Sequence, residues 1–191
     1  FYGMFARGEI DDPTWMRLIE ERYKELKMPK SLLDGLAEKI ELMPGLEKTL
    51  KHFYDNGVKV YVVSGGVKNL IDIKLEPFKK YITRIEGYQF NFKNGIFCGF
   101  KETKDCLDDK HKYVDVIKQE NKIIGDEVLF VGNGANDQTV YLSGARTLCI
   151  NPDDADYKNS KYWNFYIEKC ENLFEITKYL EKCKPLKEIQ R

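Results

Sequence analysis

At 191 residues the chain has room for one domain, or for one core with a small insertion. Its 31 Lys and Arg balance 31 Asp and Glu, so its charge gives no reason to expect nucleic acid or another polyanion as a partner. No apolar run nears the roughly 20 residues of a membrane-spanning helix, and the five cysteines show no CxxC pair or metal-ligand spacing, so a soluble protein of the reducing cytoplasm is expected.

In chain order, Asp11-Asp12-Pro13 predicts a helix start, with an acidic cap and Pro in the first turn. Trp15, Leu18, Ile19, Tyr23 and Leu26 carry helical spacing to about Lys27. Ser31 is expected to cap a second helix with Leu33, Leu36 and Ile40 on one side, and a third helix is expected over 46–56, stopped by Gly57. Val58 to Val63 is short, rich in β-branched residues and bounded by Ser64-Gly65-Gly66, the pattern of a buried parallel strand. A helix over about 68–78 follows, then an antiparallel pair, 82–92 with 96–101, around Asn94-Gly95. The rest predicts a helix over 110–120, a strand over 127–131, a helix over 136–143, a strand over 147–150 and a last helix over 171–182. The Lys-rich stretch from Lys182 to Lys187 reads as a solvated helix end. Strands alternating with helices imply βαβ units and a parallel sheet.

Ligands of such sheets bind at the carboxyl ends of strands. Ser64-Gly65-Gly66 offers a hydroxyl and unhindered backbone N–H groups suited to a phosphate-sized anion, although the same residues also make an ordinary strand-to-helix turn. Gly132-Asn-Gly-Ala-Asn-Asp137 sets two glycines, two amides and a carboxylate at another strand end. Asn133 and Asp137 there are hard oxygen donors of the kind Mg²⁺ prefers, with an Asx-rich helix cap as the alternative. Lys110 opens a helix whose Tyr113, Val114 and Ile117 are expected to face the sheet. From there it can neutralise phosphate charge, or simply face solvent.

Taken in this order, the three stretches resemble motifs II, III and IV of the haloacid dehalogenase superfamily, in its phosphoserine-phosphatase-like branch. The similarity runs along most of the chain. Val62-Val-Ser-Gly-Gly66 is similar to the second motif, whose serine binds the phosphoryl group, and Lys110 falls at the spacing of the third-motif lysine. Gly132 to Asp137 resembles a Gly-Asp-Gly-x-Asn-Asp signature, whose aspartates hold Mg²⁺ directly and through water. The resemblance implies a doubly wound, mostly parallel, Rossmann-like α/β sheet with a small helical cap over 1–42, a core over 43–191 and a peripheral β-hairpin. It implies catalytic roles for Ser64 and Lys110, substrate contacts from Ser64, Gly65, Lys110 and Asn136, and Mg²⁺ at Asn133 and Asp137. Arg17 falls where the branch places an arginine that grips a substrate carboxylate.

The sequence departs from that pattern twice. The family's first motif, Asp-x-Asp-x-Thr/Ser/Val after an apolar strand, carries the nucleophile and the general acid/base. Here Asp154-Ala-Asp156 alone has that outline in the later chain, and it follows Pro152 without the required Thr or Val. The motif is therefore expected upstream of Phe1, and the strands bearing Ser64 and Gly132 would lack a common neighbour without it. The second departure is Asn133, an amide where the signature has a carboxylate. The expected function is a Mg²⁺-dependent phosphatase of a small phosphorylated metabolite. The alternative is a degenerate family member that binds a phosphate ligand without turnover.

Overall fold

The structure is a computed structural model that describes residues 3–4, 7–101, 110–152 and 161–181. Asp154-Ala-Asp156 and the stretch from Lys182 to Lys187 lie outside the described residues. The chain forms two compact units, Phe1–Glu41 with Tyr61–Lys104, and Leu42–Val60 with Asp105–Arg191. Residues 61–104 thus group with the first helices.

In the first unit, helix α1 (Asp12–Glu25) starts as the sequence predicts, with the Asp11 side chain accepting from the Thr14 N–H at 3.0 Å and Pro in the first turn. Helix α2 (Lys30–Lys39) is capped by extended Pro29, so Ser31 lies inside the helix and is not its cap. Its buried residues are Leu33 and Ala37, whereas Leu36 and Ile40 are exposed. The expected single apolar side is therefore divided, because the inward face follows Leu33 and Ala37 at i, i+4 spacing. Strand β1 (Tyr61–Val67) begins later than expected and runs through Ser64-Gly65-Gly66. It is half-buried along most of its length, not fully buried. Helix α4 (Lys68–Leu75) follows and passes into a 3₁₀ turn over Glu76–Tyr81.

The expected long strand over 82–92 is two strands. Strand β2 (Arg84–Tyr88) pairs in parallel with β1, while β3 (Phe90–Lys93) pairs antiparallel with β4 (Ile96–Phe100). The hairpin itself is as expected: Asn94 at φ 51° and Gly95 at φ 75° occupy the left-handed region that a two-residue hairpin turn requires. The turn is tied to the α1–α2 connection, where Lys30 N donates to Gly95 O at 2.8 Å and Phe97 N to Met28 O at 2.9 Å. Around it packs a core of Met28, Leu33, Phe90 and Phe97. Tyr23 meets Phe97 edge-on at 5.7 Å and Phe90 meets Phe97 at 5.1 Å, geometries that aromatic quadrupoles favour.

The second unit holds α3 (Leu46–Asp55), α5 (Lys110–Asn121) and a parallel sheet of β5 (Leu129–Gly132), β6 (Arg146–Ile150) and β7 (Phe165–Ile167) in that order. Strand β7 escaped the sequence reading because its three residues carry no alternation. Phe53 of α3 packs with Leu148, Ile150, Cys170 and Ile176 over one part of the sheet. Val114 of α5 packs with Val140 and Ala145 over another. The burial of Tyr113, Val114 and Ile117 is as predicted from their spacing. The helix expected over 136–143 is a 3₁₀ segment, Ala135–Ser143, and the last helix is a 3₁₀ turn, Leu173–Ile176, followed by α6 (Thr177–Leu180).

The α/β class with parallel sheets is thus borne out. Among the described residues β1 and β5 belong to different sheets, and each terminates its own.

Candidate active site

The first unit presents Ser64 and Gly65. The ladder between β1 and β2 pairs Val63 with Glu86 and then Val67 with Tyr88, so Ser64, Gly65 and Gly66 together stand opposite the single residue Gly87. A bulge of this kind lifts backbone out of the ladder and re-aims what it carries. The Ser64 hydroxyl accepts from the Gly66 N–H at 3.0 Å, which curls the bulge on itself. Gly87 is what lets β2 lie against it, because a Cβ there would sit 3.0 Å from Gly66 O and 3.2 Å from Lys68 N. Just beyond, the Asn69 side chain accepts from Phe90 N at 2.8 Å and donates to Phe90 O at 3.2 Å, fixing the start of α4 to β3. Gly87 and Asn69 were not anticipated. An isolated glycine inside a strand-like run is the one signal that points to Gly87, whereas nothing local singles out Asn69.

Arg17 of the same unit lies on α1, exposed, with its guanidinium 2.9 Å from Glu21 one helical turn away.

The second unit gathers Lys110, Asn133, Asn136 and Asp137. Lys110 is not a solvated surface lysine. Its Nζ lies 2.5 Å from Asp137 Oδ1, and the two side chains retain only 9% and 5% of their exposure. The other carboxylate oxygen, Oδ2, accepts from Asn133 N at 2.9 Å and Gly134 N at 3.1 Å. The turn after β5 therefore wraps around one carboxylate that is held by three N–H donors. Gly132 provides the seat for it: a Cβ at that position would lie 2.5 Å from Asp137 Oδ2. Asn133 and Asn136 are exposed at the rim of the turn, while Gly134 is buried.

Electrostatically this is a buried ion pair finished by backbone dipoles. Such a pair is tolerated where geometry and extra hydrogen bonds offset desolvation. Chemically it presents a lysine beside a helix entrance, an arrangement suited to a phosphate oxygen. As a cation site the turn is weaker. Among the described residues no cluster of three His, Cys, Asp or Glu exists that could hold a metal. Asp137 already accepts three donors and Asn133 brings a neutral oxygen, so these two residues do not by themselves fit a Mg²⁺ site.

A family model for haloacid dehalogenase-like hydrolases matches residues 5–140, the stretch that holds β1, α5 and the turn around Asp137. The chain belongs to this family. Its relatives place it on the phosphoserine-phosphatase-like branch. This haloacid dehalogenase-like chain is 33% identical over 134 residues to a phosphoserine phosphatase of Lactococcus lactis, covering 68% of the chain and 59% of that protein. A phosphoserine phosphatase of Archaeoglobus fulgidus is 31% identical over 148 residues, covering 76% of the chain and 41% of the relative. The chain thus spans between two fifths and three fifths of the length of these relatives. In fold it is similar to a crystal structure of phosphoserine phosphatase in apo form, with a TM-score of 0.71 at 23% identity over 87% of this chain and 82% of that one. It is also similar to a probable phosphoserine phosphatase from Vibrio cholerae, with a TM-score of 0.79 at 18% identity over 95% and 54% of the two chains. No helix among the described residues is long and apolar enough to cross a membrane.

Proposed function

We propose that this chain carries the phosphate-handling residues of a cytoplasmic phosphomonoesterase acting on a small phosphorylated metabolite such as phosphoserine. The buried Lys110–Asp137 pair carries the reading most directly. A lysine held at low exposure by a carboxylate cannot swing away into solvent, so its positive end is already in place for a phosphate oxygen. Ser64 adds a hydroxyl, and the bulge adds Gly65 backbone, as second contacts to the phosphoryl group. Asn136 is assigned to the same substrate, and Arg17 to a carboxylate on it, Glu21 being the partner it would exchange. The attacking carboxylate is proposed as an aspartate of an Asp-x-Asp segment preceding residue 1. Mg²⁺ dependence is part of the proposal. Asn133 and Asp137 would contribute oxygens to such a site, but do not constitute it.

The test is phosphate release from phosphoserine and from a generic aryl phosphate by the full-length protein, with Mg²⁺ and with chelator. Release should need the cation, and Ser64→Ala and Lys110→Ala should each lower it by about 10²-fold or more, the scale set by removing one preorganised charge-stabilising contact. Unchanged rates in either variant would refute that residue's role. A second reading, binding of a phosphate ligand without turnover, is favoured by the amide at 133 and by the three donors that the Asp137 carboxylate accepts. Inorganic phosphate bound with no release from any ester would select it.

A further inference from the structure

The chain contains three Asn-Gly pairs, Asn56-Gly57, Asn94-Gly95 and Asn133-Gly134. Asn-Gly is the dipeptide most open to intramolecular attack, because glycine puts no Cβ in the way of its own backbone nitrogen. The three differ in what that nitrogen is bonded to. Gly57 N donates to Tyr54 O, an amide carbonyl, at 3.0 Å. Gly95 sits in an exposed hairpin turn, and its carbonyl is tied to Lys30 N. Gly134 N alone among these is shown donating to a carboxylate, Asp137 Oδ2, at 3.1 Å. That distance is within the reach of a general base for the proton it removes. Asn133 is exposed, so water reaches the residue.

We propose that Asn133 is a self-modification site that converts its side-chain amide into a carboxylate. The Gly134 N–H proton passes to Asp137 Oδ2 as Gly134 N bonds to Asn133 Cγ. The Cγ–Nδ2 bond breaks, and ammonia leaves with the proton that Asp137 took. Water then opens the cyclic imide. Cleavage of the new N–Cγ bond returns the ordinary backbone with aspartate at 133, and cleavage of the backbone C–N bond gives isoaspartate. The balance is one water in and one ammonia out, with no change of oxidation state. The folded turn favours the ordinary linkage, because Asn133 N and Gly134 N converge on one oxygen, and an extra backbone atom between them would part them. The product changes the Lys110–Asp137 cluster from neutral to one net negative charge. The consequence for the active site rests on the phosphatase reading; the modification itself does not.

Peptide-mapping mass spectrometry of the full chain, fresh and after incubation near neutral pH, tests this in the folded state and in denaturant. In denaturant the three pairs should convert at similar rates, since only local sequence acts. In the folded protein Asn133 should outpace Asn56 and Asn94 by about 10²-fold or more, the contribution of a positioned base. Asp137→Asn should remove that advantage and leave Asn94 unchanged. If this variant does not fold, the folded-to-denatured ratio of the wild type decides. A ratio for Asn133 that falls on folding means that the turn protects the amide, and overturns the proposal. A product that is isoaspartate alone, detected by enzymatic methylation, overturns the gain of an ordinary aspartate. None of these readouts uses phosphate release, so the phosphatase reading can fail without touching them.

Discussion

The Ser64 bulge and the Asp137 turn are both built from small residues at the end of a parallel strand, yet they are held by different forces. The bulge is neutral, half-exposed and curled by one hydrogen bond from Gly66 N to its own serine. The turn is charged, buried and organised around a single carboxylate with three donors. In a buried, low-dielectric place each partner of that carboxylate matters to stability, whereas water can replace what is lost at the bulge. The largest effect should therefore come from Lys110→Ala, which leaves Asp137 buried with no counter-charge. Denaturant unfolding should show a loss of about 3–5 kcal/mol. Ser64→Ala should stay within about 0.5 kcal/mol of wild type, as substitutions away from buried networks do. Equal losses in the two variants would erase the distinction.

A pair of glycine substitutions sharpens it. At Gly132 a Cβ would lie 2.5 Å from Asp137 Oδ2 and 2.6 Å from Cγ, so Gly132→Ala must push the carboxylate off the N–H groups it accepts. The expected cost is about 1.5–3 kcal/mol, the worth of hydrogen bonds to a charged group. At Gly66 the one near atom among the described residues is the Ser64 hydroxyl, 3.2 Å away, the end of a side chain that can rotate. Gly66→Ala should cost less than about 1 kcal/mol, and its effect should appear in phosphate affinity instead. Thermal melts of both variants read the difference directly.

Much of this was legible in the sequence, for reasons that separate by range. The α1 cap, the Asn94-Gly95 turn and the buried face of α5 follow from spacings of a few residues, where backbone geometry decides. The order Ser64, Lys110, Gly132 to Asp137 identified the family although each stretch alone had an ordinary structural reading. What the sequence concealed was pairing across distance. Lys110 and Asp137 are 27 residues apart, and although helical spacing puts Lys110 on the same face as Tyr113, Val114 and Ile117, nothing local names the carboxylate it will meet. The splitting of 82–92 into β2 and β3 depends on β1 as a partner for the first half, and the bulge that bears Ser64 depends on Gly87. Pro29 stands at the N-cap of α2 without any side-chain hydrogen bond to the helix; its ring fixes φ, and the helix starts at Lys30, one residue before Ser31.

Asp11 extends the comparison to a carboxylate of the opposite kind. Like Asp137 it accepts a backbone N–H at the entrance to a helix, but it is fully exposed. Hydrogen bonds from Thr14, its side chain first and its backbone N–H second, hold the Asp11 carboxyl below its ordinary 3.8. A carboxyl lowered on folding contributes stability that is present above the unfolded value and is lost as pH falls through the folded one. The effect should therefore vanish only in acid, below about pH 4. Asn caps a helix about as well as Asp, so Asp11→Asn should melt close to wild type near neutrality. On acidification the wild type should lose more than the variant, and the difference between the two melting curves isolates Asp11 from the other carboxylates. A constant difference across that range would mean that the cap works through its shape alone. Charge would then contribute at the buried turn of Asp137 but not at the exposed entrance of α1.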